Sequence, residues 1–209
     1  DGGHQRQQLL KILFDIFTPF DISKIVIGLL QARHIFCVSS NVSTCCQLAA
    51  ALPLLIQPFR WDMNTIPVLP IKLKEMTQVP VPTLIGLTRP EVLSEGRVSS
   101  HIIVNADLKL VIDEPSLDSH NLTTRLTVLV QQAKVANTLT AILNAYSKSP
   151  GFPHIPIQKA IQNFMFSYLQ IYTGPVKTQE QFITAVSKFP EFLETSQVIQ
   201  DLINKDRVP

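Results

Sequence analysis

The stretch HIFCVSSN, residues 34–41, decides the fold class. Its first five residues are mostly apolar and partly β-branched, which is typical of a short buried strand. The polar residues Ser39, Ser40 and Asn41 suit a turn from strand to helix, since their side chains cap helix starts. We therefore predict a strand over 34–38 and then a helix to about Ile56. Pro53 should kink this helix or end it early, because proline lacks an N–H donor.

Two helices are predicted before this stretch. Over residues 7–17 the apolar residues recur at i, i+3 and i+4, the stripe of an amphipathic helix. Thr18 and Pro19 then suit the N-cap and the first turn of a second helix, which is apolar on most faces and runs to Leu30. Both helices can therefore cover a sheet that contains the strand over 34–38.

Three more short apolar runs follow, and a short helix ending at Gln78 separates the first two. Strands that are apolar on both sides and flanked by helices are typical of parallel sheets. We therefore predict an α/β fold with a central, mostly parallel sheet flanked by helices. Pro67, Pro80 and Pro82 belong at strand starts or edges, because proline cannot donate to a central ladder. The further strands are predicted at 65–70, 79–87 and 101–104.

Only helical periodicity remains in the second half of the chain. We predict an α/β module over residues 1–115 and an all-α helical module over residues 116–209, and the two can share one core. Pro156 and Pro190 are placed at helix starts. The helices are predicted over 122–147, 157–172, 179–187 and 191–204.

Composition narrows the classes of function. Charged residues make up 16% of the 209, against about 25% in an ordinary soluble domain, and mean hydropathy is +0.20. A net charge of +2 is too small for a basic nucleic-acid surface, so no nucleic-acid partner is predicted. The longest apolar run, residues 48–56, is about nine residues, roughly half of a membrane span. With no hydrophobic signal core at the start, we expect an intracellular protein without a transmembrane segment.

Proline and glycine usage is unusual. Fifteen prolines accompany seven glycines, so the loops are expected to be stiff. Neither GxxxxGK(S/T) nor GxGxxG occurs in the sequence, and no phosphate-binding loop is predicted. GxSxG is absent as well, and we interpret Ser39 and Ser40 as helix caps instead of nucleophiles.

Other reactive residue types receive structural interpretations. Neighbouring cysteines on a helix point about 100° apart, so Cys37, Cys45 and Cys46 are interpreted as buried small hydrophobes and not as metal ligands. The five histidines are scattered, and two of them open apolar strands. No catalytic residue, metal site or cofactor is predicted. Structural or surface roles are assigned to His4, His34, His101, His120 and His154.

Acidic and aromatic residues near the strands are interpreted in the same way. Four acids around the module boundary are predicted to form a solvated loop, since no partner base or fixed spacing accompanies them. Trp61, with Phe59 and Arg60, is expected to pack its segment onto the sheet, and an aromatic binding patch is the alternative. The four acids are Asp107, Asp113, Glu114 and Asp118.

An ordered set of motifs runs from the first strand to residue 107. The set resembles the central segment of DENN domains over about residues 7–113. FPEFLETSQVIQDLINKDR, residues 189–207, resembles their downstream helical segment, so residues 120–209 match loosely. Nothing in the sequence corresponds to the longin-like module that DENN proteins carry upstream, and Asn105-Ala-Asp107 departs from their Asp-Leu-Asp or Asn-Leu-Asp. The motifs are Val38-Ser-Ser-Asn41, Pro58-Phe-Arg-Trp61, Ile66-Pro-Val-Leu-Pro70, Val79-Pro-Val-Pro82, Leu84-Ile-Gly86 and Val104-Asn-Ala-Asp107.

This resemblance implies guanine-nucleotide exchange on Rab-family small GTPases in membrane traffic. Exchange needs no covalent catalysis and no cofactor. A protein that binds the nucleotide-free GTPase more tightly than the nucleotide-bound form weakens nucleotide binding by the ratio of these two affinities. The implied partners are a Rab-type GTPase and an upstream longin-like module or partner subunit. The implied location is cytoplasmic, with peripheral association with endomembrane vesicles left open. As partner-binding candidates we predict Ser40, Asn41, Ser43, Asn105 and Asp107.

Two alternatives stay open. The first is a DENN-like scaffold or GTPase-activating subunit in a regulatory complex without exchange activity. Activation would need an arginine finger, for which Arg89 and Arg97 are the available loop residues, but we interpret both as ordinary solvated arginines. The second is a small α/β hydrolase with a pocket and a perturbed histidine beside Ser40.

Overall fold

The structure of the protein is a computed structural model that describes residues 2–57, 59–95, 101–114 and 122–173. The predicted helices over 179–187 and 191–204 lie outside the described residues. The helices are α1 (Gly2–Ile16), α2 (Pro19–Leu30), α3 (Val42–Ala51), α4 (Leu122–Ala145) and α5 (His154–Thr173). The strands are β1 (His34–Val38), β2 (Asn64–Ile66), β3 (Thr83–Leu87), β4 (His101–Asn105) and β5 (Leu110–Glu114). Short 3-10 helices cover Leu52–Ile56, Ile71–Gln78 and Pro90–Glu95.

The five strands form one sheet in the order β2-β3-β1-β4-β5. The first four are parallel, and β5 pairs antiparallel with β4. All five residues of the central strand β1 are buried. The predicted α/β fold with a mostly parallel sheet, followed by helices, is therefore confirmed.

Prolines and caps set several element ends as predicted. Thr18 caps α2 by accepting the backbone N–H of Asp21 at 3.1 Å. Pro53 ends α3 early, since the chain continues from Leu52 as a 3-10 helix. Pro67 follows directly on β2, which leaves that edge strand with three residues instead of the predicted six. A proline at that point ends the ladder because it has no N–H to donate.

Strand β5 was not predicted, and it changes the interpretation of the acidic residues. Asp113 lies in β5 and accepts a hydrogen bond from Arg33 at 2.6 Å, and the other arm of Arg33 donates to the His101 carbonyl at 2.8 Å. The prediction of a solvated acidic loop was therefore wrong for Asp113 and Glu114, which belong to the sheet. Asp118 lies outside the described residues.

One apolar core joins both halves of the chain. On the first face of the sheet, Ile35, Cys37 and Val104 pack in a single buried cluster with residues of α1, α2 and α3. Val135 of α4 and Ile161 of α5 belong to the same cluster. The described helices of the second half therefore complete the core of the sheet. Among the described helices, none combines the length with the apolar composition that a membrane span needs.

The second face of the sheet has a smaller core. Phe36, Val38, Ile85 and Leu87 form it together with Leu69, which lies between β2 and the 3-10 helix Ile71–Gln78. Helical packing is thus concentrated on one face, while short 3-10 segments and loops cover part of the other.

Because Gly86 of β3 has no side chain, the segment that follows β2 can lie directly against this strand. A side chain there would place its Cβ 1.8 Å from the Pro67 carbonyl oxygen. Without it, the Leu69 N–H donates to the Gly86 carbonyl at 2.8 Å. This close approach therefore requires glycine at position 86, whereas any residue at position 67 would supply the same carbonyl.

Gly86→Ala is expected to lower the free energy of unfolding by about 1–3 kcal/mol, because the added methyl overlaps a backbone carbonyl that cannot move alone. Urea unfolding monitored by circular dichroism measures this loss. Gly3→Ala is the control, since its Cβ meets nothing within 4 Å and should stabilise α1 by about 0.5–1 kcal/mol. Equal effects of both substitutions on the free energy of unfolding would contradict a steric requirement for glycine at position 86.

His34 opens β1 as a buried histidine next to His101 of β4. Its Nδ1 lies 3.1 Å from the Thr83 hydroxyl oxygen, and its ring stacks on Phe36. Burial, and secondarily the nearby His101, lower the pKa of His34 below its usual value. The folded protein therefore favours the neutral ring.

This lowered pKa makes stability depend on pH. As the pH falls below about 6.5, the unfolded chain gains a proton that folded His34 resists, so the free energy of unfolding should decrease. His34→Gln should flatten this decrease between pH 7 and pH 5, measured by urea unfolding at each pH. Exposed His4→Gln is the matched control for the loss of a histidine that is not buried.

Candidate functional site

The carboxyl ends of β1 and β4 lie side by side, with Val38 paired to Asn105. Asp107, in the turn after β4, links the two ends. Its carboxylate accepts the Ser39 hydroxyl at 2.8 Å and the Ser40 backbone N–H at 2.6 Å. The turn after β1 and the turn after β4 are therefore held together by one charged group. We call the surface formed by residues 39–43 and 105–109 the strand-end surface.

Asn41, and not a serine, caps helix α3. Its side-chain oxygen accepts the backbone N–H groups of Ser43 at 2.8 Å and Thr44 at 3.3 Å. The Asn41 N–H in turn donates to the Ser39 hydroxyl at 3.2 Å. Of the three predicted capping side chains, Asn41 is confirmed. The interpretation of Ser39 and Ser40 as caps was wrong, because helix α3 begins only at Val42.

Asn105 shapes the turn between β4 and β5. Its side-chain oxygen accepts the Leu108 N–H at 2.9 Å, and Lys109 takes a left-handed conformation with φ of 53°. The Asn105 side chain is buried, so it positions the turn from inside. The predicted candidates thus come together at one edge, where Ser40, Asn41, Ser43 and Asp107 are exposed and Asn105 is not.

Two exposed apolar side chains at this edge were not predicted. Val42, the first residue of α3, is 55% exposed, and Leu108, beside Asp107, is 66% exposed. Large apolar residues at a turn and a helix start stand out in sequence, because these positions favour polar residues. That preference is the signal that could have identified them.

The strand-end surface carries the negative charge of Asp107 and, in the same turn, the positive charge of exposed Lys109. Hydrogen bonds from Ser40 and Ser39 lower the pKa of Asp107 below its usual value, against a smaller opposing effect of burial. His34 and His101, in contrast, stand at the opposite ends of β1 and β4. Among the described residues, Ser39 therefore faces a carboxylate and not a histidine base, which speaks against the hydrolase alternative.

The cysteines differ in their surroundings. Cys37 and Cys45 are buried as predicted, and burial raises the pKa of both thiols, so they stay protonated. Cys46 is exposed, and its predicted burial was wrong because the first turns of α3 turn that position outward. Within the described ranges, no three His, Cys, Asp or Glu residues are grouped to hold a metal ion.

The aromatic segment at Phe59 and Trp61 is largely packed against the protein, whereas Arg89 is exposed to solvent. Phe59 is buried and Trp61 packs against the main core, which confirms packing over an aromatic binding patch. Arg89 is exposed after β3, and Arg97 lies outside the described residues.

The protein is thus an α/β domain whose strand-end surface is held by hydrogen bonds and carries exposed apolar side chains. Such surfaces are typical of contacts with another protein. Comparison with known families then identifies the family of the domain. The sequence model of the DENN (AEX-3) domain matches residues 5–109, half of the chain. The chain therefore belongs to the DENN domain family.

Two curated relatives match part of the chain. The chain is 28% identical over 123 residues to DENN domain-containing protein 2B of Mus musculus and of Homo sapiens. The matched stretch is 58% of this chain and 11% of each relative. The chain thus corresponds to a small part of these relatives.

Asp107→Asn is expected to lower the free energy of unfolding by about 1 kcal/mol at pH 7, since a charged acceptor of two hydrogen bonds becomes a neutral one. Asp107 contributes to the free energy of unfolding above the pKa that its carboxyl group has in the unfolded chain. This contribution is lost as the pH falls through the lower pKa of the folded protein. The difference between the wild type and Asp107→Asn should therefore shrink below about pH 4.

Urea unfolding between pH 7 and pH 3 measures this difference. Exposed Asp62→Asn is the control and should change stability by less than about 0.5 kcal/mol. A pH-independent difference for Asp107→Asn would contradict the role of its charge.

Proposed function

We propose that this chain is part of a DENN-type guanine-nucleotide exchange factor that binds a Rab-family small GTPase and promotes GDP release in membrane traffic. Membership of the DENN domain family is the observation that carries the proposal. The strand-end surface supports it, because exchange requires a protein contact surface and no catalytic group. The cytoplasmic location and peripheral association with endomembranes remain predictions.

The strand-end surface has the features of such a contact. Val42 and Leu108 offer apolar side chains on either side of the link from Asp107 to Ser40. Because that link holds both turns, the apolar side chains are presented with little loss of freedom on binding. Specific contacts of this kind bury about 800 Å² on each partner. The surface would therefore need neighbouring residues, or another module, to complete it.

The second face of the sheet supports a further partner. Ile103 and Ile112 are paired across β4 and β5 on that face, and Ile112 is 41% exposed. An apolar pair at the open end of a sheet is typical of a surface that another element covers. We propose that the upstream longin-like module or a partner subunit packs there.

Exchange follows from differential binding. If the strand-end surface binds the nucleotide-free GTPase better than the GDP-bound form, linkage requires GDP to bind the complex more weakly by the same factor. Asp107, which stays ionised, adds a negative charge beside the apolar contacts. The chain would act by stabilising the nucleotide-free conformation of the GTPase, and no covalent bond would need to form or break.

Release of labelled GDP from a panel of Rab GTPases tests the proposal, with this chain alone and joined to a longin-like module. We expect acceleration for at least one GTPase. Combined Val42→Asp and Leu108→Asp should reduce it at least tenfold, because burying these charges opposes contact. Ile155→Asp, at an exposed apolar position at the start of α5, is the matched control and should keep the activity.

The outcomes separate the alternatives. No acceleration and no nucleotide-free complex with any member of the panel would refute exchange. Binding without acceleration would favour the scaffold. Faster GTP hydrolysis that depends on Arg89 or Arg97 would favour the activating subunit.

A further inference from the structure

The turn between β4 and β5 holds Lys109 in a backbone conformation that favours glycine. Its φ is 53°, in the left-handed region, where a Cβ crowds the neighbouring backbone. Glycine or asparagine is the usual residue at such a position in a hairpin turn. A lysine here lowers the stability of the fold, and a residue of this kind points to a role outside folding.

Ala32 also has a positive φ, of 48°, but its surroundings explain the conformation. Its N–H donates to the Leu29 carbonyl at 3.1 Å, and the Arg33 N–H donates to the Gly28 carbonyl at 3.0 Å. These two bonds form the Schellman arrangement that closes the end of α2. The side chain of Ala32 is a single methyl, whereas position 109 carries a long cationic side chain in the same backbone region.

Hydrogen bonds fix the turn that presents Lys109. The Ala106 N–H donates to the Val38 carbonyl at 2.9 Å, and the Leu108 N–H donates to the Asn105 side-chain oxygen at 2.9 Å. The carboxylate link of the strand-end surface ties the same turn to the start of α3. A side chain that projects from a fixed turn loses little backbone freedom when it meets a partner.

The ammonium group of Lys109 is available to a partner. Lys109 is exposed, and within the part of the chain that the structure describes its side chain forms no ion pair. The neighbouring Asp107 carboxylate is already engaged by the Ser39 hydroxyl and the Ser40 N–H. Lys109 is therefore an unengaged cation of the strand-end surface, and it stands directly beside exposed Leu108.

We infer that Lys109 is a specificity-determining residue of the strand-end surface, and that it pairs with a carboxylate of the GTPase beside the apolar contact of Leu108. This inference rests on the proposed function and adds the charge that the partner must supply. The ammonium would donate to the carboxylate in a charge-assisted hydrogen bond. A GTPase without an acidic side chain at this place would leave the ammonium unpaired, so it would bind more weakly.

The test measures Kd for the nucleotide-free GTPase of the panel that binds most tightly, with the chain alone and joined to a longin-like module. Lys109→Gly removes both the charge and the unfavourable Cβ. It should raise the urea midpoint by about 0.2–0.5 M and yet weaken binding about three- to fivefold. Lys109→Glu should weaken binding at least about tenfold, since an attraction becomes a repulsion. Lys109→Arg keeps the cation and should stay within about twofold.

Two matched controls separate charge from backbone. Ala32→Gly changes the other residue with positive φ, and it should raise the urea midpoint while Kd changes less than about twofold. Lys159→Glu, at an exposed position of α5 outside the strand-end surface, makes the same change of net charge and should also stay within about twofold. High salt should weaken binding of the wild type more than that of Lys109→Gly, because only the wild type has the charge pair.

Charge reversal on the partner identifies the carboxylate. Single lysine substitutions at the surface aspartates and glutamates of the GTPase are each tested against the wild-type chain and against Lys109→Glu. We expect one of them to weaken binding of the wild type and to restore binding of Lys109→Glu at least about tenfold, since residues in contact show such coupling.

The outcomes distinguish this inference from the proposed function. A wild type that binds no GTPase of the panel would refute both. Equal affinities of the wild type and Lys109→Gly, an equal loss with Ala32→Gly, or no coupling with any carboxylate of the GTPase would refute only the role of Lys109. Coupling without faster GDP release would support this role and refute exchange.

Discussion

Burial of β1 on both faces is the constraint on which the structure depends. Its neighbours β3 and β4 pair with it on either side, and its five residues are buried between the two faces of the sheet. A parallel strand of this kind needs crossovers on the sheet faces, and α3 with its following 3-10 helix supplies the crossover from β1. The carboxyl ends of β1, β3 and β4 are thereby brought to one edge. The strand-end surface lies at that edge.

Two local devices shape this edge of the sheet. At the strand-end surface, the Asp107 carboxylate joins the turns after β1 and β4, and Val42 and Leu108 are left exposed. At the end of β3, the missing side chain of Gly86 lets the segment after β2 lie against the sheet. The first device depends on charge and hydrogen bonding, and the second depends on the absence of a side chain.

Much of the fold follows from local patterns. The helix that ends at Leu30, the strand over 34–38 and the effect of Pro53 are correct because apolar periodicity and proline act within a few residues. Strand β5 escaped prediction because its pairing with β4 depends on the turn at Asn105 and Lys109. The candidate residues at the edge came from the motif set, whereas Val42 and Leu108 became apparent only once exposure was known.

By itself, the sequence determined the α/β class, the ends set by prolines and the family, since these depend on residue order and local backbone preference. Only the tertiary structure decided which residues act together. Asp107 bonds to Ser39 across 68 positions of chain, and Asp113 bonds to Arg33 across 80. Nothing local in the chain encodes such pairs, because they arise when separate strands align in one sheet and the free energy of burial sets their register.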